Sequence, residues 1–118
     1  MNAVEPLPTQ ALKIHIAKGF WCRARGLLGR SHLAIDQGLY LPRCNSVHTF
    51  GMRFPIDVVF IDSANRVVKL VSSLMPMRAA YSRNAVATLE LAAGQAEAYR
   101  VEVGGFNALI NQSIKDAS

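Results

Sequence analysis

The chain predicts an α+β fold dominated by strands: a β-rich, compact, barrel-like domain of five to seven short strands with one or two short helices. Three observations lead there. Apolar residues recur with a period of two in several short windows, turn residues punctuate the chain at regular spacing, and strands do not alternate with helices as a parallel α/β sheet requires. With 118 residues, 51% of them apolar, there is material for one core and too little for two.

Residues 1–10 carry Pro6 and Pro8 and no periodicity, so they read as a flexible lead-in to a single domain over 11–111, followed by a polar, frayed tail over 112–118. Residues 11–17 alternate Leu12, Ile14 and Ile16 against Lys13 and His15, the pattern of a half-buried strand with His15 on its wetter face. The period then changes. Phe20, Trp21, Ala24, Leu27 and Leu28 fall on one helical stripe of about 120°, with Trp21 expected in the core. Gly26 and Gly29 lie on the back of that helix, which suits either close approach of another backbone or fraying after Leu28.

Residues 38–41 form a short strand that ends where Pro42 removes a ladder donor. Residues 43–54 read as irregular. Pro55 opens the most apolar strand, 56–61, and Asp62, Ser63, Ala64 and Asn65 turn it into a partner over 66–71, giving a β-hairpin. The first of these strands is apolar on both faces, as a central strand is. Residues 72–84 contain Pro76 and read as an extended crossing and a loop, with Leu74, Met75 and Met77 as adaptable core filler. In 87–91, Ala87, Leu89 and Leu91 alternate inward against Thr88 and Glu90 outward. A short helix over 94–101 and a last strand over 106–110 complete the chain.

The net charge of +5 is unevenly placed: residues 13–53 hold seven Lys and Arg against Asp36 alone. Such a bias favours an anionic ligand or an acidic partner through long-range attraction. Apolar runs reach only four residues, far short of the roughly 20 of a membrane span. The first residues lack a basic segment followed by an apolar one, so a cytoplasmic address is the expectation, with Cys22 and Cys44 as free thiols; pairing of the two would follow export.

The polar residues of interest cluster ahead of the apolar strand. Asp57 shares a strand face with Val59 and Ile61, where a carboxylate must be paired or hydrogen-bonded. It reads as a brace between loop and strand, as a carboxylate lining a cleft, or as a general base. His48 follows Cys44 by four residues and the two suit half a zinc site, but only Cys22 and His15 are available to complete it, so no metal or cofactor is expected. His48 reads otherwise as a hydrogen-bonded loop residue or as a ligand contact. Arg25, Arg30 and Arg53 converge on one place if the early helix packs beside the loop, with Phe50, Met52 and Phe54 as apolar walls. Alternatively the arginines pair with Asp57 and Glu90 and brace the fold. A phosphate loop, a nucleophile elbow and an H-E-x-x-H motif are all missing from the sequence.

Three blocks resemble the bacterial and archaeal domain of unknown function family 192: Arg25-Gly26-Leu27-Leu28-Gly29-Arg30, Met52-Arg53-Phe54-Pro55-Ile56-Asp57 running on to Asp62, and Leu89-Glu90-Leu91-Ala92-Ala93-Gly94. The middle block is the specific one. Leu28 stands where the family has methionine, Arg53 where it has lysine, and Ala92 where it has proline; the asparagine that follows that lysine is missing. The resemblance implies a small β-rich fold and no established activity. The residues together point to an uncharacterised, non-catalytic binding or accessory module whose candidate ligand-binding residues are Arg25, Arg30, His48, Met52, Arg53 and Asp57, favouring an anionic small molecule or an acidic protein partner. The alternative is an enzyme using Asp57 or His48 as acid or base in the same cleft. Nucleic-acid binding would rest on charge and five Phe alone and is not expected.

Overall fold

The computed structural model describes residues 12–17 and 33–118. Among these residues, seven strands and two helices follow one another as β1 (Lys13–Ile16), β2 (Gln37–Pro42), β3 (Ser46–His48), β4 (Ile56–Ile61), β5 (Val67–Leu74), β6 (Ala79–Tyr81), β7 (Ala87–Ala92), α1 (Gln95–Ala98) and α2 (Ala108–Ala117). Five strands form one sheet in the order β1-β2-β7-β4-β5, and β3 pairs with β6 in a separate two-stranded ribbon. β1 and β2 run parallel and every other pairing is antiparallel. The fold is thus the strand-rich α+β domain expected, with a main sheet that stays open instead of closing into a barrel.

The sheet has a helix side and a ribbon side, each with its own core. On the helix side Val59, Ile61, Leu89 and Leu91 pack with Ala96, Tyr99 and Ile110. On the ribbon side Ile56, Val58 and Phe60 pack with Val47, Met52 and Ala80. β4 and β7 are buried along their whole lengths because both of their faces are covered. Gly38 sits where a Cβ would meet the side chains of Leu91 and Leu89 at 3.1 and 3.2 Å, so a larger residue there requires those leucines to give by a few tenths of an ångström.

The hairpin of β4 and β5 forms as expected, and Pro55 and Asp62 bound β4 on either side. Other expectations are corrected, among them the loop expected within 72–84, which holds β6. The stretch 43–54 contains a strand, β3, which is only three residues long and borrows its pairing from β6, more than thirty residues away in the chain. Thr88 and Glu90 do not point to solvent; both are fully buried, because β7 lies at the centre of the sheet. Residues 106–110 do not form a last strand. Asn107 caps a helix there, its side chain accepting from Ile110 N, and Ile110, Ser113 and their neighbours turn one face of α2 to the core through the tail that had read as frayed. Met75 and Met77 are exposed instead of filling the core.

Cys44 is disulfide-bonded, against the expectation of a free thiol. Trp21, Cys22 and the helix expected over 20–30 lie outside the described residues.

Candidate functional site

Of the six residues singled out from the sequence, Arg25 and Arg30 lie outside the described residues, and the other four do not share one place. Asp57 faces the helix side and is only 1% exposed. Its two oxygens accept from main-chain donors on two different elements: Oδ1 from Ser73 N at 2.8 Å and Oδ2 from Ala96 N at 2.9 Å. Both donors need it. Ser73, at φ 52, lies where the β4–β5 register shifts around Asp57, so its N–H is released from the ladder. Ala96 is in the first turn of α1, whose cap residue Gly94 supplies no side-chain bond. Asp57 therefore fastens a bulge and a helix start to the sheet, and no oxygen of it is turned to a cleft.

Met52 and His48 belong to the opposite side. Met52 is buried in the ribbon-side core, and Arg53 beside it is exposed. His48 ends β3, half-buried, with its ring stacked on Phe50 at 5.1 Å between centroids. Phe50 N donates to His48 Nδ1 at 3.3 Å, so that nitrogen serves as an acceptor within the turn. His48 and Asp57 do not meet across a shared cleft, and the described residues hold no group of three or more His, Cys, Asp and Glu arranged to bind a metal.

A groove of about 310 Å³ runs over the ribbon, lined by Ser46, Val47, His48, Ala79, Ala80 and Tyr81. The pairings Ser46↔Tyr81 and His48↔Ala79 put these four side chains on one face, while Val47 and Ala80 turn to the core. Small alanine side chains leave the space, and His48 and Tyr81 stand over it at diagonal positions.

Thr49, which the sequence reading passed over, holds the end of this groove in shape. It is fully buried; its hydroxyl donates to Met75 O at 2.6 Å and accepts from Arg78 N at 2.9 Å. Its main chain joins in, with Thr49 N donating to Arg78 O and Met77 N donating to Thr49 O. Two turns, 49–54 and 75–78, are thereby locked side by side. The lock leaves Phe50 49%, Met75 55% and Met77 63% exposed.

From residue 43 to residue 83 the chain holds six Lys and Arg against two Asp. Neither acid opposes the cations at the groove. Asp57 is buried on the other side, and Asp62 is engaged with Ala64 N and Arg66 N. Lys69 Nζ donates to Tyr81 O at 2.8 Å, bringing one cation to the groove's end.

Glu90 is the other residue that sequence alternation misplaced. It lies on the ribbon side of the sheet, between Leu39 of β2 and Val58 of β4, and it is 0% exposed. Neither carboxylate oxygen has a hydrogen-bond partner among the described residues. Burial pushes its pKa up to about 8.

Comparison with known proteins gives a family and two solved structures of similar fold. The model of the DUF192 family, described as uncharacterised, matches residues 3–106. A structure from Novosphingobium aromaticivorans, of unknown function, superposes with a TM-score of 0.63 and 17% identity, over 77% of this chain and 70% of that one. A structure from Sinorhizobium meliloti, provisionally named a transcription regulator, does so with a TM-score of 0.63 and 20% identity, over 77% of this chain and 76% of that one. No curated protein matches the chain.

Proposed function

The chain belongs to the DUF192 family, and on that premise we propose that it is a non-catalytic binding or accessory module that takes an anionic group in the groove over β3 and β6. The observation that carries this reading is the His48 arrangement. A stacked imidazole has Nδ1 satisfied by Phe50 N, and the residue that carries it lines a groove of about 310 Å³, at the small end of ligand pockets. The excess of Lys and Arg over residues 43–83 supplies attraction for an anion, and the two acids of that stretch are occupied elsewhere. Arg53 is kept in the site as a flanking cation. Asp57 leaves it, since both of its oxygens are used within the fold.

A melting scan against benzoate, citrate and inorganic phosphate tests the reading. A ligand of the native state stabilises by RT ln(1 + [L]/Kd), about 2.7 kcal/mol at a hundredfold excess over Kd. The expected result is a rise of several degrees for at least one anion that is lost in His48→Ala; no rise with any of the three, or a rise that His48→Ala leaves intact, contradicts it.

No helix among the described residues is long and apolar enough to cross a membrane. For location, the disulfide at Cys44 favours an oxidising compartment over the cytoplasm expected from the N-terminal residues, because thiols stay reduced in the cytosol. Alkylation of the protein in intact cells, before lysis, is expected to leave Cys44 unmodified unless a reductant is added first.

A further inference from the structure

We infer that the groove and the two locked turns beside it form one docking surface for a protein segment that carries an apolar residue between acidic flanks. This rests on the reading of the groove as an anion site and names the partner that fits it.

The composition of the surface is the first reason. Phe50, Met75, Met77 and Tyr81 are large apolar or aromatic side chains that the fold leaves exposed, and Arg78 sits between Met77 and the groove residue Ala79. Aromatic residues, methionine and arginine are the types enriched where proteins meet, whereas single-stranded nucleic acid is bound along a basic groove by stacking aromatics. The unbranched methionines adapt to different apolar partners.

Preorganisation is the second. Met77 is held at φ 65, a left-handed conformation that a methionine does not favour by itself, and Thr49 holds the turn around it through bonds to Met75 O and Arg78 N. The side chains are thus presented before any partner arrives, which lowers the ordering cost of association.

Charge complementarity selects the occupant. Cations lie at both ends of the ribbon: Arg78 is next to Ala79 at the start of β6, and Lys69 reaches the carbonyl of Tyr81 at its end. An extended segment lying along the three residues of β6 would span roughly 10 Å at ~3.3 Å per residue, placing acidic side chains on either side of an apolar one opposite these two cations.

The experiment titrates the full chain with a fluorescent peptide of about a dozen residues, Leu-Phe flanked by Asp and Glu. The same peptide with Lys flanks, a poly-dT oligonucleotide and sodium benzoate run alongside. The expected result is saturable binding of the acidic peptide alone among the polymers, weakened at least ~10-fold by Arg78→Glu and by Met77→Asn. Asparagine tolerates the left-handed backbone at that position, so Met77→Asn tests the side chain without disturbing the turn. Binding of the acidic peptide that neither variant weakens overturns the inference. Benzoate binding without peptide binding overturns it and leaves the anion-site reading standing, as does preferential binding of the oligonucleotide. Absence of binding by every probe overturns the inference, and the anion-site reading falls with it when citrate and phosphate fail as well.

Discussion

Two carboxylates on neighbouring strands, Asp57 on β4 and Glu90 on β7, are buried equally and on opposite sides of the sheet. On the helix side Asp57 is completely used: it accepts one main-chain N–H from a bulge and one from a helix start, and these are donors that the local chain leaves unmatched. On the ribbon side Glu90 has no such partner among the described residues, and the residues opposite it on both neighbouring strands, Leu39 and Val58, are apolar. The helix side is therefore over-determined, each polar group fixing another. The ribbon side carries groups that the described fold does not satisfy, Glu90 inside and the Phe50, Met75 and Met77 side chains outside. At Asp57 folding consumes the carboxylate completely, so the difference separates a bracing residue from the side on which ligand binding is proposed.

The largest expected effect belongs to Glu90. With its pKa pushed from 4.5 up to about 8, the folded state holds a proton there that the unfolded chain has released, so stability is full below about pH 4.5 and is lost progressively as pH rises to about 8. The loss is of the order of several kcal/mol. Denaturant melts of the parent and of Glu90→Gln should coincide near pH 4.5 and diverge above it, the variant becoming the more stable; a pH-independent difference breaks the comparison. Next comes Asp57→Ala, which strands two main-chain donors and should cost about 3 kcal/mol, read as a lower unfolding midpoint and as faster amide exchange at Ser73 and Ala96. A loss below ~1 kcal/mol would mean that the helix side is not held by this residue.

Legibility in the sequence followed the same division. β4 could be bounded because its apolar run lies between Pro55 and the turn residue Asp62, all within a few positions. That Asp57 must find hydrogen bonds was also readable, from its face. Its partners were not, since Ser73 and Ala96 are 16 and 39 residues away. β3 was lost because three residues, one buried between two half-buried, are too few to show a period, and its partner strand is equally short. Glu90 was misread because alternation assumes one wet face, an assumption that fails for a strand with neighbours on both edges and layers on both faces. For α2, Leu109, Ile110, Ser113 and Ile114 have helical spacing, but the preceding Gly104, Gly105 and Phe106 drew the reading toward a strand. The proposed cluster around Asp57 joined residues close in sequence that the sheet separates by its own thickness.

Two smaller effects sharpen the contrast. Thr49→Val keeps the volume and removes the hydroxyl that locks the 75–78 turn, an expected loss of about 2 kcal/mol together with weaker anion binding, checked by melting and by titration with benzoate. Removing Lys13, which is the exposed partner of a 3.6 Å ion pair with half-buried Asp36, should change stability by no more than ~0.5 kcal/mol.

The division between scaffold and binding surface is tested most directly by amide chemical-shift mapping of the isotope-labelled chain titrated with benzoate. The expected shifts fall on Ser46, His48, Phe50, Ala79 and Tyr81, while Asp57, Ser73 and Ala96 stay in place. Shifts centred on Asp57 and the start of α1, with the ribbon unmoved, would contradict it.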